Sequence, residues 1–248
     1  MNDSKYRSRI YKEYATRFQD ADGVFDLMTS ARWGKAYDYH LRSWLPTDKG
    51  AAIVDLACGG GKLLHFLKER GYFCLQGVDI SPEQIRLAQQ VIPNVVESDV
   101  LEFLRSSRSC FDVILGLDII EHFKKDEAIR FLDACNVALK PNGRLILQTP
   151  NAESPWGGSI RYGDFTHEVC FTPNSLVRLM CLCGFRDIET REQGPIPWGY
   201  SMYSTARFCI WQAIRLGIKF WNISETGSAG SGIFSRVFLS SGLRDGIS

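Results

Sequence analysis

Short apolar segments alternate with amphipathic ones between residues 51 and 149, and this alternation limits the possible folds more than any other feature of the chain. The apolar segments are nearly continuous, which is typical of strands buried on both faces. The segments between them are long enough for crossover connections. The sequence therefore predicts an α/β fold with a doubly wound, mainly parallel sheet. The predicted strands are 51–57, 73–80, 95–97, 111–117 and 144–149, with amphipathic segments at 61–70, 81–92, 100–105 and 126–140.

Further elements are predicted on both sides of this region. Tyr6, Ile10, Tyr14 and Phe18 put an aromatic stripe on a helix over residues 5–20, and a second helix is predicted near Trp33 to Trp44. After residue 149 we predict a long loop (150–172), a helix (173–183), a strand (185–190), an apolar amphipathic helix (204–221) and a final strand (233–240). We therefore divide the chain into an N-terminal helical cap, 1–48, and a main domain, 49–248, with a C-terminal insertion at 191–232.

The composition excludes several classes of protein. Of the 248 residues 45% are hydrophobic and 23% are charged, and the formal net charge is +1, which does not favour a nucleic-acid partner. No apolar run reaches the roughly 18 residues of a membrane span. The eight cysteines include no CxxC pair, and the start of the chain is polar, so we expect reduced thiols and a cytoplasmic protein.

Residues 54–67, VDLACGGGKLLHFL, place three glycines between a predicted strand and a predicted helix. A phosphate-binding P-loop is excluded, because Leu56 stands at its first glycine position and Leu63 follows Lys62. A dinucleotide fingerprint is disfavoured by Leu64, which occupies its third glycine position. A third pattern fits better: an acid at the strand end followed by small residues at alternate positions, namely Asp55, Ala57, Gly59 and Gly61.

With this pattern the chain resembles the class I S-adenosylmethionine-dependent methyltransferases. In that family the loop backbone contacts the methionine part of the cofactor and the acid helps to hold its ammonium group. The resemblance implies these roles for Asp55, Ala57, Gly59 and Gly61. Ala57 departs slightly from the family's first glycine but keeps the backbone accessible.

Companion motifs follow in the order that the family predicts. Asp79, in GVDIS, ends the second predicted strand, where a carboxylate can accept hydrogen bonds from both hydroxyls of a ribose. The resemblance implies that Ile80 packs on adenine and that Asp99 and the Val100 N–H bind its amino end. FDVILGLDIIEHF, with Leu117 near the cofactor, and LKPNGRLILQTP match the later motifs. The family further implies seven strands, the last one antiparallel, and S-adenosylhomocysteine as a product.

Two histidines are candidates for the base that removes the acceptor's proton. His122, in DIIEHF, follows the fourth strand. His167 lies in the long loop beside Asp164 and Glu168, either of which is able to orient an imidazole. The acceptor is expected at this edge of the sheet, because ligands of open α/β sheets bind outside the carboxyl ends of the strands. Either histidine is alternatively a structural residue that braces its loop.

The segment from Asn151 to Phe185 resembles bacterial methyltransferases of surface-polysaccharide, sugar-modifying and ubiquinone-biosynthesis types. It implies a small-molecule or lipid-linked saccharide acceptor, methylated at a hydroxyl or an amine, with a quinone or phenol as the alternative. An aromatic wall for the acceptor is predicted from Trp156, Tyr162, Phe165, Trp198 and Tyr200, together with Asp164. An inactive cofactor-binding scaffold and a nicotinamide dehydrogenase are the other readings. No metal site is expected, although Asp118 and Glu121 lie near His122.

Residues 207–221 carry Arg207, Trp211, Arg215 and Lys219 every four positions beside an apolar face. Such a helix is able to lie on anionic lipid, which would place the protein at the inner face of the membrane. Packing on the sheet or on a homodimer partner is the alternative.

Overall fold

The structure is a computed structural model that describes residues 5–11, 23–197 and 201–246. Within these ranges the strands form one seven-stranded sheet of order β3-β2-β1-β4-β5-β7-β6. The strands are β1 (Ile53–Leu56), β2 (Leu75–Asp79), β3 (Val95–Glu97), β4 (Phe111–Leu117), β5 (Leu139–Pro150), β6 (Phe185–Glu192) and β7 (Val237–Arg244). Only β7 runs antiparallel to both of its neighbours, β5 and β6. The predicted fold class is confirmed.

Helices connect the strands and cover the sheet. They are α1 (Lys5–Tyr11), α2 (Leu27–His40), α3 (Lys62–Glu69), α4 (Pro82–Ala88), α5 (Val100–Arg105), α6 (Lys125–Ala138), α7 (Gly157–Gly163), α8 (Pro173–Leu182) and α9 (Met202–Thr226), with a 3₁₀ turn at Ile120–His122. Local signals start several of them: the Asp26 side chain accepts the Thr29 N–H at the start of α2, and Thr172 and Ser175 form a reciprocal cap at the start of α8.

The core is divided between the two faces of the sheet. Val54, Leu56 and Ile114 belong to the cluster on one face, whereas Ile53 and Leu115 belong to the cluster on the other. Successive side chains of a strand point to opposite faces, so a strand covered on both sides is apolar at most of its positions. This burial explains why β1 and β4 are apolar in the sequence apart from Asp55 and Asp112.

Several predicted elements differ from the structure in their bounds or in their type. The predicted loop 150–172 contains helix α7. The predicted final strand 233–240 begins later, at Val237, because the backbone N–H groups of Phe234 and Ser235 bind the Glu192 carboxylate instead of a neighbouring strand. The second helix is α2, Leu27–His40. It overlaps the predicted span near Trp33 to Trp44 but starts and ends several residues earlier. Tyr14 and Phe18 of the predicted first helix lie outside the described residues.

The predicted division into a cap and a main domain stays a prediction. Helix α2 and the turn after it bury Tyr37, Leu41 and Trp44 in the same cluster as Leu64 of α3. This part of the predicted cap therefore shares its core with the sheet.

Candidate active site

A cavity of about 1250 Å³ opens at the carboxyl ends of the parallel strands. Its walls include Asp55 from β1, Asp79 from β2 and Leu117 from β4, together with Asp99 directly after β3. The strand order reverses between β1 and β4, and the loops after these two strands diverge to opposite faces. The cavity thus lies where an open α/β sheet is expected to bind its ligand.

Asp55 and Asp79 form a buried acidic pair on one side of this cavity. Asp79 accepts the Gly59 N–H at 2.9 Å and the Ser81 N–H at 2.8 Å, which ties the loop after β1 to the end of β2. Burial raises the pKa of Asp79, although these backbone hydrogen bonds oppose the rise. Burial, and then the charge of Asp79, raise the pKa of Asp55 well above its usual range. The pair is therefore suited to a ligand that brings positive charge or hydroxyl donors.

The loop after β1 brings its backbone to the cavity wall. Ala57 (φ 56°) and Gly59 (φ 51°) are in the left-handed region and both line the cavity. The alternate spacing in the sequence grouped Gly61 with Ala57 and Gly59. Gly61 also has a positive φ (87°), but it does not line the cavity. A Cβ at Gly61 would lie 3.0 Å from the Ala88 Cα, so this glycine is required for the packing of α3 against α4.

Asp99 shows that a strand-end aspartate can serve two purposes. Its Oδ1 accepts the N–H groups of Leu101 at 2.9 Å and Glu102 at 3.1 Å, which caps helix α5. Asp99 and Val100 also line the cavity, as does Ile80, whose side chain is 46% exposed. Carboxylates at three strand ends and these apolar side chains fit a ligand that has a cationic end, a diol and a flat ring.

Two imidazoles face each other at the other side of the cavity. The ring centroids of His122 and His167 are 4.9 Å apart, and both residues line the cavity. The Nδ1 atom of His167 lies 3.1 Å from the Ile160 carbonyl oxygen. A carbonyl only accepts, so Nδ1 carries the proton and Nε2 keeps a lone pair that is able to take a proton.

His122 is fixed by a short relay. The Thr166 hydroxyl donates to Asp164 at 2.6 Å and lies 2.9 Å from the His122 Nδ1, so this nitrogen donates to Thr166. Burial, followed by the charge of His167, lowers the pKa of His122 to about 4. His122 is therefore neutral at physiological pH and a weak base. The sequence predicted Asp164 as a partner of His167, whereas in the structure Asp164 reaches His122 through Thr166, whose role depends on loop geometry.

Acidic groups surround the imidazole pair. Glu121 is 1% exposed, its Oε2 accepts from the Thr149 hydroxyl at 3.0 Å, and its Oε1 has no hydrogen-bond partner among the described residues. Burial and the charge of Asp118 raise the pKa of Glu121 well above its usual range. Donor atoms of Glu121, His122 and His167 lie within 4.8 Å of one another, a spacing that a divalent cation could use. The expectation of no metal stays a prediction.

Helix α1 closes part of the cavity over these groups. Arg7 donates to the His122 carbonyl oxygen at 2.6 Å and forms an ion pair with Glu127 at 3.0 Å, and Tyr6 donates to Glu168. Arg7 and Tyr11 both line the cavity. Sequence analysis placed only an aromatic stripe here, because the partners of Arg7 are more than 100 positions away in the chain.

The described rings of the predicted aromatic wall do not line the cavity. Trp156 and Tyr162 are 56% and 83% exposed and are not lining residues, and Phe165 is likewise exposed. The reason is helix α7, which turns these rings to the solvent side while Ile160 reaches the cavity. Trp198 and Tyr200 lie outside the described residues, whereas Asp164 lines the cavity as predicted.

A sequence model of the methyltransferase domain matches residues 28–190, which include Asp55, Asp79, Asp99 and Leu117 of the cavity wall. The chain belongs to this methyltransferase family. The class I fold and S-adenosylmethionine as the cofactor follow from this membership, and the cavity residues described above fit that cofactor. Their individual binding roles stay predictions.

Named relatives and solved structures agree with this family. The methyltransferase is 26% identical over 184 residues to a ubiquinone biosynthesis O-methyltransferase of Cereibacter sphaeroides (strain ATCC 17029), covering 67% of this chain and 73% of that protein. It is 32% identical over 108 residues to the Xylella fastidiosa (strain 9a5c) protein of the same name, covering 41% and 43% of the two chains. A SAM-dependent methyltransferase of Archaeoglobus fulgidus has the same fold, with a TM-score of 0.63, 20% identity and coverage of 96% and 99%.

Proposed function

We propose that this methyltransferase transfers a methyl group from S-adenosylmethionine to a hydroxyl group of a small acceptor, with His167 as the base. The imidazole pair at the acceptor side of the cavity carries the proposal. Bound S-adenosylmethionine supplies a methyl group that its sulfonium makes electrophilic. The chain's own residues hold the acceptor oxygen near that methyl group and accept its proton at the Nε2 of His167. The lowered pKa of His122 makes it a poor base, and we assign it to shaping the site.

A phenolic acceptor of the quinone type is supported by the names of the curated relatives. A phenol, with a pKa of about 10, also gives its proton to an imidazole base more easily than a less acidic aliphatic hydroxyl does. Methylation of an amine is a less favoured variant of the same chemistry.

A saccharide acceptor, the acceptor predicted first from the sequence, remains the second candidate. Asp118 and Asp164 both line the acceptor side, where their carboxylates are able to accept hydrogen bonds from sugar hydroxyls. Trp156, Tyr162 and Phe165 of the predicted aromatic wall do not support it, since these three rings are exposed. A lipid-linked acceptor of either kind would place the enzyme in the cytoplasm at the inner face of the membrane, and contact through residues 207–221 would bring the cavity to it. A homodimer is the alternative use of that segment.

The test is methyl transfer from labelled S-adenosylmethionine to a panel of phenols, quinols and saccharides, with S-adenosylhomocysteine as the measured product. We expect His167→Gln to lower kcat by about 10²–10⁴-fold while the calorimetric affinity for S-adenosylmethionine stays the same. His65→Gln is the matched control, because His65 is outside the cavity and bonds to Ser30.

Three results would count against the proposal. Cofactor binding without turnover on any acceptor would favour the scaffold reading. Equal activity of His167→Gln and wild type would remove the assigned base. Loss of activity with EDTA, restored by a divalent metal, would show that Glu121, His122 and His167 hold a cation and would contradict both the base assignment and the expectation of no metal.

A further inference from the structure

Helix α9 contributes no buried residue to the molecule, although its sequence is rich in apolar residues. One face of the helix is half-buried. It is formed by residues three or four positions apart, namely Phe208, Trp211, Arg215 and Ile218. The Trp211 Nε1 lies 3.3 Å from the Glu192 carboxylate, and the Arg215 Nε forms an ion pair with the same group at 2.9 Å. This face therefore packs on the body of the protein.

The opposite side, which we call the outer face, is apolar and turned to solvent. It is formed by Tyr203, Ile210, Ile214, Leu216, Phe220 and Trp221, each between 47% and 74% exposed. A soluble monomer rarely leaves so continuous an apolar surface uncovered. The outer face thus requires an occupant.

Charge at the borders of the outer face indicates which occupant fits. At about 100° of rotation per residue, the exposed Arg207 and Lys219 fall on opposite borders of it. The helix has one acidic residue, Glu225, which lies in the last turn and accepts from the Trp221 Nε1 at 3.2 Å. An apolar strip with basic borders complements a membrane surface that carries anionic headgroups.

A second copy of the chain fits this surface less well. A symmetric dimer brings the same patch of each subunit together, so Arg207 and Lys219 would meet a partner surface bordered by the same positive charges. No described helix is long and apolar enough to span a bilayer, so contact would be along the surface.

The position of the helix in the fold links it to the cavity. Strand β6 is parallel to the central strands, because β7 runs antiparallel to both β5 and β6. Helix α9 follows the carboxyl end of β6 and therefore lies at the edge of the sheet where the cavity opens. Val237, the first residue of β7 after this connection, lines the cavity.

We propose that the outer face of helix α9 docks on a bilayer that contains anionic lipid, with the helix axis in the membrane plane and Arg207 and Lys219 among the headgroups. The sequence predicted that Trp211 and Arg215 lie with Arg207 and Lys219 on the stripe that meets lipid. In the structure Trp211 and Arg215 bind Glu192 and face the protein instead. The inference extends the proposed function, because a docked enzyme would meet a lipid-linked acceptor, but vesicle binding itself is measured without acceptor or cofactor.

The test is co-sedimentation of the full chain with phosphatidylcholine vesicles that contain either no anionic lipid or roughly 30% phosphatidylglycerol. We expect binding to the anionic vesicles that weakens as salt is raised. Ile214→Asp combined with Phe220→Asp should reduce the affinity at least tenfold. Arg207→Gln and Lys219→Gln should each reduce the affinity for the anionic vesicles about fivefold, without changing the binding to vesicles that lack anionic lipid.

Phe73→Asp is the matched control. Phe73 is 79% exposed, close to the 74% of Phe220, but it precedes β2 at the opposite edge of the sheet. Absence of wild-type binding, or an equal loss in Phe73→Asp, would overturn the proposal. So would a result in which Ile214→Asp with Phe220→Asp converts a dimer to a monomer and leaves vesicle binding unchanged. Calorimetry with S-adenosylmethionine establishes that each variant is folded and separates a failure of docking from a failure of the proposed chemistry.

Discussion

At the scale of single residues, Asp55 is subject to opposed requirements. It is 2% exposed beside Asp79, so its charged form destabilises the ligand-free fold, as its raised pKa indicates. A bound ammonium group would stabilise the same charge. Binding and stability therefore favour different residues at this position.

We predict that Asp55→Asn weakens cofactor binding but stabilises the ligand-free protein. A carboxyl group whose pKa is higher in the folded than in the unfolded protein lowers the free energy of unfolding at high pH, where the group is charged. This loss of stability disappears as the pH falls to the pKa of the unfolded protein, about 3.9. The gain in the free energy of unfolding should be about 1 kcal/mol or more at pH ~8 and should vanish near pH ~4. Urea unfolding of both proteins at the two pH values measures it.

Asp112→Asn is the control of opposite sign. Its side chain binds Lys140 at 2.7 Å and the Ala52 N–H at 2.8 Å, and these bonds lower its pKa although its partial burial opposes the shift. That carboxylate stabilises the fold above its unfolded pKa, so Asp112→Asn should be the less stable protein at pH ~8. A stabilising effect of Asp55→Asn that is the same at both pH values would contradict the electrostatic explanation.

The residues that the sequence placed well are those that topology brings together. Asp55, Asp79 and Asp99 end successive parallel strands or follow them directly, so one cavity edge collects them. Trp156 and Tyr162 were placed wrongly, because the direction of a side chain in a loop depends on contacts that no local pattern encodes. Gly61 was grouped with its neighbours by spacing alone, although its requirement comes from Ala88 on another helix.

At the scale of elements, the turn into α3 offers a matched pair of glycines. Both Gly59 and Gly61 have positive φ, but a Cβ at Gly59 would find no atom closer than 3.9 Å, whereas one at Gly61 would meet α4 at 3.0 Å. The two substitutions therefore separate backbone strain from steric conflict.

We predict that Gly61→Ala lowers the free energy of unfolding by about 2–4 kcal/mol, from strain and overpacking together. Gly59→Ala should lower it by only about 1–2 kcal/mol, since it adds strain alone. Gly59→Ala should instead have the larger effect on the affinity for S-adenosylmethionine, because Gly59 lines the cavity and Gly61 does not. Urea unfolding and calorimetry measure the two effects, and equal losses of stability would refute the steric assignment.

Periodicity predicted the type of most elements, but it misplaced the start of β7 and missed helix α7. The apolar Ile233 and Phe234 read as the start of a strand, yet Glu192 takes the N–H groups of residues 234 and 235 and holds them out of the ladder. The loop after β5 contains helix α7, which has few apolar residues to reveal it. In the first case a distant partner outweighed local preference, and in the second the segment has too few apolar residues to show a helical period.

At the scale of the whole molecule, helix α9 is separable from the sheet. Strands β6 and β7 are antiparallel neighbours, and the Gln193 N–H still meets the Val237 carbonyl oxygen at 3.4 Å, so the chain re-enters the sheet beside the point where it left. A helix without a buried residue adds little apolar burial to the fold.

We predict that replacing residues 198–231 with a flexible Gly/Ser linker leaves the sheet and cofactor binding intact and abolishes binding to anionic vesicles. The free energy of unfolding should fall by about 1–2 kcal/mol, mainly through the lost contacts of Trp211 and Arg215 with Glu192. Urea unfolding and calorimetry would check it. A variant that fails to fold or to bind S-adenosylmethionine would show that α9 is part of the body.

The junction between β6 and β7 is also a permissive attachment point. A reporter peptide, an affinity sequence or a different anchoring segment spliced there would be carried next to the catalytic opening, while the hydrogen-bonded ladder beneath it kept its register. The location of the enzyme in the cell then becomes something that can be exchanged without redesigning its chemistry.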